Sequence, residues 1–325
     1  MIALLQQVRR TIRRHDLCPT GTRLLVALSG GSDSVALTFV LRELASAGGF
    51  TVAGLAHFNH RLRPTADRDE RFCRALAARL EIPIVISDLD VREYAAAERL
   101  GIEAAARRTR YAFLHRTAAD FGADRIAVGH SRDDQAETFL LKLIRGAGMA
   151  GLGGIYPRRG ALVRPLLDVS RDDLRRYLKE RGESWVEDES NADLANARNR
   201  IRHRVLPELD AAYGGPTSAS IARAAGLARE DGTWLDEIAA ARYLELAAAD
   251  PDGVTFAAAD LAAEPGPIRR RILLTALRDV AGVREVALEH VEAAADILSG
   301  SSSGADVPGA RLELQRGKLV LQRKR

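Results

Sequence analysis

Leu24-Leu25-Val26-Ala27-Leu28-Ser29-Gly30-Gly31-Ser32-Asp33-Ser34 reads as a short apolar strand that ends in a glycine turn and then enters a helix. An unbroken aliphatic run suits a strand covered on both faces, whereas a half-solvated strand alternates apolar with polar. The two glycines let successive N–H groups turn toward one point. The helix start adds partial positive charge, so the turn can hold phosphate oxygens without a cationic side chain. Capping a helix needs one hydroxyl; Ser29, Ser32 and Ser34 together with Asp33 exceed that need.

Working outward, the same alternation recurs. Val52 to Phe58 precedes a helical pattern from Ala66 to Leu80, Ile82 to Ser87 precedes Ile102 to Phe121, and Arg125 to Gly129 precedes Asp133 to Arg145. Strands alternating with helices of this length predict an α/β fold, a doubly wound and mostly parallel sheet with ligands beyond the carboxyl ends of its strands. Tyr213-Gly-Gly-Pro216 marks a boundary, giving a catalytic domain over 1–214 and a smaller, mainly helical domain over 215–325. In the latter, 217–298 is alanine-rich with helical spacing, Ser299 to Gly304 is a flexible link, and Leu312 to Leu321 alternates around Arg316-Gly317 like a hairpin.

Composition narrows the classes. The 325 residues are 46% hydrophobic and 28% charged, with mean hydropathy −0.13, which excludes disordered and fibrous chains. No apolar run approaches the roughly 20 residues that span a bilayer, and MIALLQQVRRTIRRHDL meets arginines too early for a signal peptide, so a cytoplasmic protein is expected. Cys18 and Cys73 are too far apart in sequence for a local zinc or iron-sulfur motif. The net charge is +4, with the basic excess in the first two hundred residues, which permits a polyanionic partner without demanding one. Apart from Lys142, Lys179, Lys318 and Lys324, the 48 basic residues are arginines.

Three further stretches carry polar groups to strand ends. Gly129-His130-Ser131-Arg132-Asp133-Asp134-Gln135-Ala136-Glu137 fits a capping box at Ser131 and Asp134, yet Asp133, Asp134 and Glu137 also cluster closely enough to require a cation, magnesium or an ammonium. His57-Phe58-Asn59-His60-Arg61-Leu62-Arg63 lacks the ligands of a zinc site and suits polar readout of a nucleotide or base. On the helix after Gly101, Arg107 and Arg110 share a face and can approach a phosphate in a transition state, though Glu103 and Arg107 also fit a plain surface pair. Gly146-Ala-Gly148-Met-Ala-Gly151 follows a helix instead of a strand and is read as a flexible loop, not a dinucleotide motif. No GxxxxGK[ST] occurs, which argues against cleavage between the β and γ phosphates.

The SGGSDS turn resembles the pyrophosphate loop of the N-type ATP pyrophosphatases, whose fold is adenine nucleotide α-hydrolase-like. SGGSDS, HFNHRLR, GIEAAARRTRY, GHSRDDQAET, RGAGMAGLGG, RPLL and the run Trp185 to Arg202 in this order resemble one branch of that family, the tRNA(Ile)-lysidine synthases, over about residues 20–205. Asp188, Ser190, Asn191, Arg198, Asn199, Ile201 and Arg202 match its D-x-SN and RN-x-IR elements. The resemblance implies a ligase that adenylates O2 of the wobble cytidine in the CAU anticodon of tRNA(Ile) and replaces AMP by lysine, changing codon reading from AUG to AUA. It implies ATP and Mg2+ as cofactors, with Asp33 and Asp134 as metal ligands. Nucleotide would lie on Ser29, Gly30, Gly31, Ser32, Asp33, Ser34, His57, Arg107, Gly129 and His130. Catalysis would fall to Asp33, Asp133, Asp134, Glu137 and Arg107, the carboxylates orienting lysine and helping to remove its proton. RNA contacts would come from Asn59, His60, Arg61, Arg63, Arg145, Arg198, Asn199 and Arg202, although the basic residues from Arg198 to Arg204 equally suit a solvated helix face. The C-terminal part resembles the tRNA-contacting domain of shorter family members in size and helical character only. The oligomeric state, a homodimer included, is left open.

Two rival readings differ in testable ways. A tRNA 2-thiolation enzyme of the same group commonly needs paired cysteines, which this chain lacks. A non-catalytic tRNA-binding protein would be expected to lose loop polar groups, and here every one is retained.

Overall fold

The computed structural model describes residues 2–62, 65–187, 193–282 and 286–324. Arg63, Asp188, Ser190 and Asn191, singled out above, lie outside them. The chain forms two compact units, Met1–Leu227 and Ala228–Arg325, dividing within the helix Thr217–Leu246 beyond the glycine-proline segment.

The first unit runs α1 (Ile2–Arg14), β1 (Arg23–Ala27), α2 (Ser32–Gly48), β2 (Thr51–Asn59), α3 (Ala66–Leu80), β3 (Ile84–Asp88), α4 (Val91–Ala97), α5 (Ile102–Asp120), β4 (Arg125–Ala127), α6 (Arg132–Ile144), α7 (Met149–Leu152), β5 (Arg158–Arg159), β6 (Leu162–Val163), α8 (Arg171–Glu180), α9 (Ala197–Arg200), a π-helical stretch (Ile201–Val205) and α10 (Leu206–Tyr213). The sheet order is β3-β2-β1-β4-β6-β5, parallel throughout except for β5 against β6. Alternate residues of β1 serve opposite cores. Leu24 and Val26 pack with Val35, Leu37 and Leu41 of α2, while Leu25 packs with Phe113, Leu114 and Ile126. Each such side chain contributes roughly 1.5–3 kcal/mol on burial, and a strand buried on both faces has no place for a polar residue.

From β1 the chain moves to β2 on one side, and it later returns to β4 on the other. The crevice at this reversal, beyond the carboxyl ends of β1 and β4, is where a doubly wound sheet accepts ligands. Both the SGGSDS turn and Gly129-His130-Ser131 open there.

The second unit contains the remainder of α11 (Thr217–Leu246), then β7 (Ala248–Asp250), β8 (Gly253–Ala257), α12 (Ala258–Ala263), α13 (Gly266–Ala281), α14 (Leu288–Leu298), β9 (Gly304–Val307), β10 (Ala310–Gln315) and β11 (Lys318–Arg323). The strands form an antiparallel sheet in the order β7-β8-β11-β10-β9. The helices and the last hairpin agree with the apolar spacing of the sequence; the other three strands are short and leave no clear alternation. The hairpin closes on Arg316 and Gly317, both at positive φ (49° and 75°), as a tight two-residue turn demands. Phe256, Ile272, Leu277, Ile297, Leu312 and Leu321 fill its core. No helix among the described residues is long and apolar enough to cross a membrane.

Candidate active site

The turn after β1 is held by its own hydroxyls. Ser34 Oγ accepts from the Ser29 N–H (3.1 Å) and Oγ (3.0 Å) and donates to the Gly31 carbonyl (2.9 Å). Gly30 has φ +91°, a left-handed backbone conformation that favours glycine, and it packs beside Cys73, Phe72 and Val186. Its carbonyl accepts from the Val186 N–H (2.9 Å), tying the turn to a distant segment. The first-turn N–H groups of α2 lack intrahelical acceptors and face the cleft, the arrangement that binds phosphate. Gly129 lets the two loops approach closely: a Cβ there would lie 3.0 Å from the Asp33 carbonyl carbon and would require the backbone to shift by a few tenths of an ångström.

These groups line a cleft of about 1020 Å³ with Arg107, Arg110, His130, Asp133 and Asp134. Arg107 and Arg110 stack on the Tyr111 ring, at 4.9 and 5.2 Å from its centroid, and hold positive charge at the wall. Asp33 faces the cleft beside Arg171 (Nε to Oδ2 3.5 Å). Burial, which outweighs Arg171, raises the Asp33 pKa above its ordinary value, so its negative charge is under-compensated.

A network of carboxylates and arginines adjoins the cleft, with Asp134, Arg171, Arg198 and Arg202 among the lining residues. Glu137 is buried completely and does not line the cleft. It accepts from Arg198 Nε (2.6 Å), Arg202 Nε (2.6 Å) and Arg171 NH1 (3.4 Å). Asp134 accepts from the Ser131 N–H and Oγ on one oxygen (2.8 and 3.1 Å) and from Arg171 and Arg198 on the other (3.1 Å each). Burial would raise the Asp134 pKa, but Arg171 and Arg198 bring it down to about 2. The expected cation for the carboxylate cluster is therefore supplied by the protein itself. Glu137 does not reach the cleft, whereas Arg198 and Arg202 line it while their guanidinium groups bind Asp134 and Glu137. Arg171, whose N–H also binds Asp133 Oδ2 (2.7 Å), carried no local signal, because its partners lie more than thirty residues away in sequence.

Two further expectations are corrected. His57 is buried off the cleft lining, its Nδ1 2.9 Å from the Leu28 carbonyl, where it supports the end of β1. Asn59 is buried, accepting from the Arg61 N–H (2.9 Å), which shapes the loop, and it does not line the cleft. His60 does line the cleft, packed edge-on against Phe58, and Arg61 is exposed and paired with Asp88. Asn199 lines the cleft while donating to the Asp193 carbonyl (2.8 Å).

His130 sits partly exposed at the cleft wall, and its pKa is lowered to about 3, chiefly by burial of the ring among protein atoms. A folded pKa below the unfolded value makes the unfolded chain the better proton acceptor, so stability falls as pH drops from about 6.5 toward 3. His130→Gln is expected to lose less stability between pH 7 and pH 5 than the parent, by up to about 2 kcal/mol, in denaturant titrations at the two pH values. Parallel losses would refute this account.

A phosphate-binding turn at the switch point of a doubly wound sheet, with no P-loop lysine, defines a PP-loop nucleotide-binding domain, and residues 4–209 match the PP-loop domain family model. The tRNA(Ile)-lysidine synthase of Geobacter sulfurreducens is 37% identical over 323 residues, covering 98% of this chain and 67% of that one. That of Symbiobacterium thermophilum is 38% identical over 336 residues, covering 98% and 69%. That of Thermus thermophilus is 42% identical over 252 residues, covering 77% and 47%. This chain belongs to the tRNA(Ile)-lysidine synthase family. It spans about two thirds of the first two relatives and about half of the third. Among solved structures, the U34-tRNA thiolase NcsA from Methanococcus maripaludis, with its [4Fe-4S] cluster, shares the fold at TM-score 0.53 and 18% identity over 70% of this chain and 79% of that one.

Proposed function

We propose that the protein uses ATP to convert the wobble cytidine of a CAU-anticodon tRNA(Ile) into lysidine. The observation that carries this reading is the shared cleft: phosphate-binding amides, Asp33, Arg107, Arg110 and His130 all open on one space. Cytidine O2 attacks the α phosphorus and diphosphate leaves, which makes a poor leaving oxygen a good one. The lysine ε-amine, once deprotonated, then attacks C2 and AMP departs. The turn amides and Ser32 hold the outgoing diphosphate, and Arg107 and Arg110 stabilise charge growing on the α phosphate. Asp133 lines the cleft with one oxygen beyond its bond to Arg171, and it is the carboxylate placed to orient the lysine ammonium.

Mg2+ is normally held by one or two carboxylates together with substrate phosphates, so a full protein cage is not required. Asp33, under-compensated and facing the cleft, fits that role. Asp134 does not fit as drawn from sequence, because both its oxygens are engaged. When bound, Mg2+ would neutralise charge on the leaving diphosphate. A cytoplasmic setting matches these substrates.

The target base must leave its stack, which is cheapest in a single-stranded anticodon loop. Arg145, exposed at the end of α6, is our candidate for a backbone contact outside the cleft. Arg145→Ala should weaken tRNA binding severalfold and lower the salt slope by about 1 in filter-binding assays across salt concentrations. An unchanged slope would remove it from the interface. Against a thiolation reading, Cys18 and Cys73 are buried, and neither lines the cleft.

The direct test incubates a CAU-anticodon tRNA(Ile) transcript with enzyme, ATP and labelled lysine, followed by mass spectrometry of the nucleosides. A labelled cytidine derivative heavier by lysine minus water is expected. Release of ADP and orthophosphate, or label absent from the nucleoside, would overturn the reading.

A further inference from the structure

Arg164, in the RPLL segment after β6, is 4% exposed, and among the described residues it forms no ion pair with a carboxylate. A buried guanidinium without a counter-charge is costly, so such a residue is kept for what it does to its neighbours. Its hydrogen bonds are few and directional: NH1 donates to the Tyr156 carbonyl (2.6 Å) and Nε donates to His130 Nδ1 (3.3 Å). A guanidinium has only donors. Nδ1 of His130 must therefore accept, and the neutral ring carries its proton on Nε2. That nitrogen has no partner among the described residues and is not sealed from solvent, and the ring lines the cleft beside Gly129 and the SGGSDS turn. Arg164 itself does not line the cleft.

We propose that Arg164 is a positioning residue that locks His130 in the Nε2–H tautomer, so that His130 acts as a neutral hydrogen-bond donor to a substrate phosphate oxygen and not as the base that deprotonates lysine. This rests on the adenylation reading above. A fixed donor aimed at developing charge costs no reorganisation during reaction, and a cation beside Nδ1 opposes the second proton that would turn the donor into an acid. The division of labour follows. His130 serves phosphate transfer, while lysine deprotonation falls to a cleft carboxylate.

Long-range 1H–15N correlation spectra of the whole protein, with His130 assigned through a His130→Asn variant, read the tautomer directly. The parent and Arg164→Lys are expected to carry the proton on Nε2, and Arg164→Leu to give a mixture or the opposite tautomer. In diphosphate release on adenylation of tRNA, Arg164→Leu should lose about 10²-fold in kcat, with little change in the KM for lysine in the complete reaction, and Arg164→Lys should recover most of it. His130→Gln, whose amide nitrogen reaches the Nε2 position, should exceed His130→Asn, whose amide lies nearer the Nδ1 position, by about tenfold or more. A proton on Nδ1 in the parent, or an Asn variant equal to the Gln variant, overturns the proposal. Should Arg164→Leu not fold, the parent spectrum and the two His130 variants decide it. A parent that makes no AMP would defeat the proposed function, yet its spectrum would still judge the tautomer.

Discussion

Glu137→Gln is expected to lower the stability of the first unit by about 3–5 kcal/mol, a large share of the roughly 5–15 kcal/mol typical of a whole protein. The carboxylate is wholly buried and receives Arg171, Arg198 and Arg202. Removing its charge leaves three guanidinium groups facing mainly Asp134, and the amide nitrogen of glutamine turns a donor toward donors. Thermal unfolding should show a fall in Tm of several degrees, with both half-reactions damaged together, because Arg171 also positions Asp33 and Asp133. A variant that melts with the parent, or that loses lysine use alone, would show that Glu137 faces substrate and not the arginine cluster.

Asp33→Asn should behave in the opposite way. The carboxylate is the acidic member of the phosphate-binding turn, and its loss should reduce adenylation on the order of 10³-fold, measured by diphosphate release. Stability should be unchanged or higher. Burial raises the folded pKa of Asp33, so the charged form is disfavoured on folding. Any stabilisation it gives is present below the ordinary carboxylate pKa and is lost as pH rises through the raised value. A neutral isostere at pH 7 removes that cost. A site kept charged against its environment is expected where the charge is completed by ligand. Near-wild-type turnover of this variant, or a marked drop in Tm, would remove Asp33 from the mechanism or from this energetic account.

These two residues mark the limit of what could be read in advance. Asp33 was legible because everything that defines it is local: a buried strand, two glycines and a helix start within a few residues. Glu137 was legible as part of a carboxylate cluster, but its role was not. The capping box at Ser131 and Asp134 was read correctly from spacing, yet the charges that neutralise Asp134 and Glu137 arrive from α8, α9 and the π-helical stretch. An arginine near a carboxylate in space leaves no periodic trace in a chain. The placement of His57 and Asn59 was not legible for a related reason, since polar groups at a strand end can turn either into the cleft or back onto the backbone.

Local patterning was enough to give β1 to β4, their alternation with helices, the phosphate-binding turn and the hairpin at Arg316-Gly317, because each depends on side-chain periodicity or backbone freedom over a few neighbouring residues. Folding alone brings out which carboxylates line the cleft, which arginines neutralise the others, and which cation stands beside Nδ1 of His130. Those outcomes depend on Coulomb energies and hydrogen bonds between groups that only folding brings within about 3 Å of one another, and their sign depends on burial, which no local pattern encodes.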